Sequence, residues 1–82
     1  MQINALRTFL TIAQTGSFHA AAGQLNITQT AVSARIKSLE ANVGAKLFDR
    51  GPGGTRLSAA GRQFRPYAEQ MQRTWDLVRA DL

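Results

Sequence analysis

The stretch TQTAVSARIKSLE, residues 28–40, has the pattern of an amphipathic helix with an unusual polar face. Val32, Ile36 and Leu39 recur at steps of four and three, the spacing of a helical stripe that packs on a core. Thr28 can cap the first free N–H groups. The opposite face carries small, amide and cationic side chains and has no acid until the last residue, whereas solvated helices are normally laced with Glu–Lys pairs. Such a face can approach DNA closely, reach base edges and hold phosphates, so we interpret this stretch as a DNA recognition helix.

The charge balance of the chain favours a polyanionic partner. Ten Lys and Arg against five Asp and Glu give a net charge of +5 over 82 residues, a length that makes one small domain. Nucleic acid is the first partner that this predicts, and an anionic membrane surface is the second. The chain has no cysteine, no secretory signal pattern and no apolar run approaching the ~20 residues of a membrane span. We therefore expect a cytoplasmic protein without disulfides or a membrane anchor.

The residues before the recognition helix predict a helix-turn-helix. A first helix is expected over residues 4–15, and a second, short helix over residues 18–25 begins after Ser17 as its cap. Asn26 follows, and among residues other than glycine Asn tolerates positive φ best, which suits a tight turn. The helix-turn-helix then spans about residues 18–37, with its second helix meant for the major groove.

The only histidine, His19, lies at the start of the second helix. One interpretation is an exposed residue without a specific role. The alternative is a phosphate contact beside the Ser17 cap and the helix N-terminus. A metal site is disfavoured because the chain has no cysteine and no second histidine.

Residues 45–57 predict a small β-hairpin, or wing. Extended segments are expected over residues 45–50 and 55–57, joined by a Gly-Pro-Gly-Gly tip, with Arg50 and Arg56 at the two shoulders. A glycine-rich tip can enter a minor groove, whose negative potential suits Arg. The alternative is a plain flexible hairpin. A nucleotide-binding loop is disfavoured because neither GK[ST] nor GxGxxG occurs.

The last segment predicts a long helix, residues 59–82, capped by Ser58, with a kink at Pro66. Its apolar residues form a heptad seam, which favours a partner helix. A domain this small cannot bury both Trp75 and Leu82, and we therefore expect a dimer interface along this seam. The alternative is that the seam packs on its own domain. The seam consists of Phe64, Ala68, Met71, Trp75, Val78 and Leu82.

The sequence resembles the N-terminal domain of LysR-type bacterial transcriptional regulators over essentially all of its length. Thr30 stands where family members often have Pro, and Ala34 where they often have Arg, with Arg35 as a neighbouring cation. The resemblance is carried by Leu6 and Phe9; Ser17, Phe18, Ala20, Ala21 and Ala22; residues 25–33; Ile36, Leu39 and Glu40; Gly44 and residues 47–50; and Leu57, Ser58, Ala60 and Gly61.

The resemblance implies a mainly α fold: a winged helix-turn-helix of three helices and a two-stranded β wing over residues 1–58, then a dimerising linker helix over residues 59–82. It implies base contacts from one set of residues and backbone or minor-groove contacts from another. The base set is Gln29, Thr30, Ser33, Ala34 and Lys37. The backbone and minor-groove set is Ser17, His19, Thr28, Arg35, Arg50, Gly53, Thr55 and Arg56.

The partners implied are double-stranded operator or promoter DNA and a second copy of the chain, with a tetramer possible in a full-length protein. No metal or cofactor is expected in this chain. Family members usually continue into a ligand-sensing domain, so a small-molecule effector would bind there. The location implied is the bacterial cytoplasm, at the nucleoid.

Three other interpretations stay open at this point. The chain could be a self-contained winged-helix repressor of another family, such as a MarR-like protein. It could be a helical dimerisation or adaptor module, which predicts no salt-dependent affinity for DNA. It could attach to an anionic membrane surface, although the charges do not follow one amphipathic face. An enzyme is disfavoured, because one His, no Cys and five scattered acids provide no nucleophile–base pair.

Overall fold

Four helices and one two-stranded antiparallel sheet make up residues 2–82, the part of the chain that the computed structural model describes. Three helices precede the sheet and a long helix follows it, which confirms the predicted winged helix-turn-helix. The elements are α1 (Ile3–Thr15), α2 (Phe18–Leu25), α3 (Gln29–Val43), β1 (Phe48–Gly51), β2 (Gly54–Leu57) and α4 (Ala59–Asp81).

Local signals in the sequence explain where the helices begin and turn. Ser17, Thr28 and Ser58 each accept a backbone N–H from the residue three positions further on, over 2.9–3.0 Å, so all three predicted caps are confirmed. Asn26 has a φ of 57°, the left-handed conformation that turns the chain between α2 and α3. The helix-turn-helix therefore arises from residues close in sequence.

Four phenylalanines tie the remaining elements to this unit. Phe9 of α1 is fully buried, with ring centroids 5.3 Å from Phe48 of β1 and 5.2 Å from Phe64 of α4. Phe18 of α2 packs edge-on against Phe48 at 5.7 Å. The wing and α4 are thus fixed to the helices by one continuous aromatic cluster. The other buried apolar residues are Ala5, Leu6, Ile12, Ala21, Ala22, Val32, Ile36, Leu39, Leu47 and Ala68.

Glu40, near the end of α3, holds the connection to the wing. Its carboxylate oxygen Oε2 accepts the backbone N–H of Leu47 at 2.7 Å, and its carbonyl accepts the N–H groups of Gly44 and Ala45. The Leu47 carbonyl accepts the N–H of Ser58, whose hydroxyl donates to the Lys46 carbonyl at 2.6 Å. The base of the wing is therefore held from both α3 and the start of α4.

Several predicted element boundaries were wrong. The strands cover Phe48–Gly51 and Gly54–Leu57 rather than residues 45–50 and 55–57, because the backbone of residues 45–47 bonds to Glu40 and Ser58 instead of the ladder. The first helix begins at Ile3, one residue before the predicted start.

Gly61 packs against the base of the wing with no space for a side chain. A Cβ built there would overlap the Leu47 carbonyl oxygen and lie 3.0 Å from Leu57 Cδ2. We expect Gly61→Ala to lower the free energy of unfolding by about 1–3 kcal/mol, measured by urea denaturation. Gly23→Ala is the matched control, because Gly23 is helical and a Cβ there meets nothing within 4 Å. Equal stabilities of the two variants would contradict this packing.

The heptad seam of α4 has a part that packs on its own domain, up to about Met71, and an exposed part beyond it. Ala68 is fully buried and Phe64 contacts Phe9, so these residues pack on their own domain. In the single chain Ala68 therefore has no exposed surface, and the predicted contact with a partner is left to the exposed residues of the seam. Phe64 is likewise accounted for by the core of its own protomer.

Beyond this point the seam is open to solvent. Trp75 and Val78 are each 40% exposed and Leu82 is fully exposed, as expected for a helix too long for its body. Pro66 lies inside α4, and the helix continues on both sides of it.

Candidate nucleic-acid interface

The outer face of α3 presents the predicted base-contacting residues. The buried stripe of Val32, Ile36 and Leu39 packs on the core, so the opposite face of the helix points outward. Glu40, the one acid of α3, is bonded to the wing connection, which leaves the outer face without negative charge. Gln29, Thr30, Ala34 and Lys37 are exposed, and Ser33 is half-buried.

Arg35 does not join that face. Its guanidinium Nη1 donates to the hydroxyl of the fully buried Thr8 in α1 over 3.5 Å, a long hydrogen bond. It lines a cleft between α1 and the turn, together with Asn4, Arg7 and Gln24. Arg35 follows Ala34 by one residue, and a rotation of about 100° per residue directs it sideways toward α1. The structure thus separates Arg35 from the other candidate residues.

The two wing arginines lie on opposite faces of the hairpin. Arg50 is paired with Thr55, and Arg56 with Asp49, and side chains of successive strand residues point to opposite faces. The Arg56 guanidinium lies along the wing tip. Its Nη2 atom is 3.6 Å from the position that a Cβ on Gly53 would occupy. Arg56 therefore belongs to the tip.

Arg50 instead lies against the start of α2. Its guanidinium carbon is 4.0 Å from the centroid of the Phe18 ring, a cation–π contact. Phe18 is flanked in sequence by Ser17 and His19. Three residues that the sequence predicted as backbone contacts, from two separate stretches, are thus brought to the N-terminus of α2.

The capping hydroxyls remain able to donate. Ser17 Oγ accepts from the Ala20 N–H and Thr28 Oγ1 accepts from the Ala31 N–H, each at 3.0 Å. A hydroxyl that accepts one hydrogen bond keeps its own proton. Each cap can therefore donate to an oxygen anion placed at the beginning of its helix.

Sequence reasoning missed two contributors to this surface. Neither Phe18 nor Glu40 was among the predicted site residues. The contacts of both depend on the folded wing, so no local pattern reveals them. The one hint was the position of Glu40 as the sole acid near the end of an otherwise uncharged or basic helix.

An apolar groove runs along α4, apart from these residues. The N-terminus of α1 forms one of its walls and the exposed part of the seam forms another. Its lining consists of Ile3, Tyr67, Gln70, Met71, Thr74, Trp75 and Val78.

Residues 2–82 contain neither a cluster of metal ligands nor a membrane-spanning helix. No three His, Asp or Glu side chains of these residues cluster as metal ligands would. None of the described helices combines the length and the apolar character needed to cross a bilayer.

The fold and the exposed polar helix define a winged helix-turn-helix domain. Residues 3–62 match the family model of the lysR family of bacterial regulatory helix-turn-helix proteins. The chain belongs to this family and is a LysR-type winged helix-turn-helix DNA-binding domain.

A named relative supports the family assignment. The HTH-type transcriptional regulator HdfR of Shigella boydii is 43% identical over 82 residues, which cover 100% of this chain and 29% of HdfR. The chain thus spans less than a third of the length of that relative, whose name describes a regulator rather than an enzyme.

Two solved structures have the same fold. Vibrio fischeri DarR in complex with DNA is 33% identical, with a TM-score of 0.94 over 99% of this chain and 28% of DarR. The BenM_DBD/catB site 1 DNA complex is 30% identical, with a TM-score of 0.90 over 98% of this chain and 90% of that one.

Proposed function

We propose that this domain binds double-stranded DNA sequence-specifically as a dimer, with α3 in the major groove and the wing at the minor groove. The observation that carries the proposal is the exposed, acid-free face of α3. DarR and BenM_DBD, which share the fold, are described in complexes with DNA. Together these favour DNA over an anionic membrane or a protein adaptor.

The outer residues of α3 suit direct reading of bases. Gln29 presents an amide that can bond an adenine in two-point fashion, and Lys37 suits guanine. Thr30 and Ser33 have hydroxyls that donate and accept, while the methyl group of Ala34 suits contact with thymine. These five residues form the proposed base-reading set.

A second set would hold the backbone. Ser17, His19 and Arg50 converge at the N-terminus of α2, where helix N–H groups favour a phosphate. Thr28 offers the same arrangement at the start of α3. Such contacts fix the register of α3 on the duplex without reading sequence themselves.

The wing tip would reach the minor groove. Gly53, Thr55 and Arg56 lie on or beside the tip, where Gly53 and Arg56 are exposed and Thr55 is half-buried. A narrow minor groove attracts an inserted Arg.

The exposed half of the α4 seam would pair two copies. Trp75, Val78 and Leu82 with the adjoining groove form a contiguous apolar surface, and such surfaces mark interaction sites. Two half-sites about one helical turn apart, ~34 Å, need a rigid spacer between domains, which a paired helix supplies. An effector site, tetramer formation and action in the bacterial cytoplasm belong to this proposal as properties of a longer protein.

Base reading can be separated from anchoring by mutation. Binding sites selected from a random DNA pool provide the cognate duplex. We expect Gln29→Ala and Ser33→Ala each to weaken it by about 1–3 kcal/mol per good base contact, with little effect on random DNA. Arg56→Ala should weaken both duplexes alike unless the wing reads a narrow groove.

Gln63→Ala, an exposed amide on α4, is the matched control and should change neither affinity. Equal losses on cognate and random DNA for Gln29→Ala would show that this residue only anchors. No selected site at all would refute sequence-specific binding.

A further inference from the structure

We infer that Phe18 is a positioning residue for DNA binding, whose ring holds the Arg50 guanidinium at the N-terminus of α2 as a preformed phosphate clamp. The inference deepens the proposed function and rests on it. Arg50 would be the group that contacts DNA, and Phe18 would act through Arg50.

The contact itself restrains an otherwise free side chain. Arg50 is exposed, and its guanidinium lies 4.0 Å from the centre of the Phe18 ring. A planar guanidinium stacks on an aromatic face and keeps its outward N–H groups available, whereas a Lys ammonium has no such plane. Stacking therefore selects one arrangement of Arg50 before any phosphate arrives, which reduces the ordering cost of binding.

The ring that carries Arg50 is itself buried and packed against other rings. Phe18 is 5% exposed and packs edge-on against Phe48, which in turn packs on the fully buried Phe9. Through this cluster the guanidinium is fixed relative to α1, α2 and β1. The wing and the helix-turn-helix thus present one continuous surface to a phosphate.

Arg56 provides an internal comparison. It lies on the other face of the wing, beside the Gly53 tip. Among residues 2–82, the guanidinium that stacks on a ring is that of Arg50. The two arginines carry the same charge on the same hairpin but lie on opposite faces, and of the two it is Arg50 that stacks on a ring.

The test is a double-mutant cycle that keeps the charge constant. Affinities for the selected duplex are measured by fluorescence anisotropy for the wild type, Arg50→Lys, Phe18→Leu and the double variant. We expect Arg50→Lys and Phe18→Leu each to weaken binding roughly two- to fivefold, and the double variant to be no weaker than either single one. Phe18→Tyr, which keeps the ring, should retain wild-type affinity.

The salt dependence separates positioning from charge. All four proteins should give the same slope of log K against log salt, because the number of cations is unchanged. Arg56→Lys should lower the affinity for the selected duplex less than Arg50→Lys does. Thermal unfolding identifies a temperature at which every variant is folded.

Additive losses in the double variant would overturn the inference, since Phe18 would then act through stability alone. If Phe18→Leu does not fold, the two arginine variants test the inference. Equal losses of affinity for Arg50→Lys and Arg56→Lys would overturn the inference, and a larger loss for Arg50→Lys would support it. A wild-type protein without salt-dependent DNA binding would refute the proposed function instead.

Discussion

Raising the salt concentration from about 50 to 200 mM should weaken DNA binding by roughly 10³–10⁵-fold, the loss expected for 6–10 phosphate contacts. Lys37, Lys46, Arg50 and Arg56 are exposed on α3 and the wing, so a dimer offers enough cations for that number. Each neutralised phosphate releases condensed counterions and adds about −0.9 to the slope of log K against log salt.

The slope is obtained from anisotropy titrations at several salt concentrations, with circular dichroism to confirm that the fold does not change. Arg56→Gln should reduce it by about 0.9 for each protomer that contacts a phosphate. A slope near zero would exclude nucleic-acid binding and favour an adaptor function.

Trp75→Ala should convert the proposed dimer to a monomer. Truncation of a large side chain buried at an interface costs about 3–5 kcal/mol, which raises the dimer dissociation constant roughly 100- to 4,000-fold. Trp75 is 40% exposed in the single chain and adjoins the apolar groove along α4, so a partner can bury the remainder. Sedimentation equilibrium measures this dissociation constant directly. The affinity of Trp75→Ala for the operator should also fall, although no DNA contact has changed.

Leu77→Ala is the matched control. Leu77 is 70% exposed but does not line the groove, and two helical residues further along from Trp75 it points to a different side. Its loss should leave the dimer intact. If the wild type and Trp75→Ala both sediment as monomers at high concentration, the exposed seam is not a dimer interface.

The parts of the fold that were predictable depend on local signals. The caps at Ser17, Thr28 and Ser58 and the turn at Asn26 are each determined within a few residues, and all were predicted. The outer face of α3 was predictable for the same reason, because helical periodicity fixes which residues oppose a buried stripe.

The features that were not predictable depend on contacts between distant segments. Arg35 turns toward Thr8, 27 residues away in sequence, so a helical wheel does not reveal its partner. The wing begins late because Glu40 takes the Leu47 N–H. The α4 seam looks uniform in sequence, yet Ala68 is fully buried and Leu82 is fully exposed, because contacts with the rest of the domain decide which part of the seam is covered.

A nuclear magnetic resonance titration of the isotope-labelled domain with its selected duplex measures directly whether α3 enters the DNA groove. We expect the largest changes in amide chemical shift at Gln29, Thr30, Ser33 and Lys37, and a second group around Ser17. Changes confined to residues 75–82, with α3 unaffected, would contradict DNA reading by the helix-turn-helix.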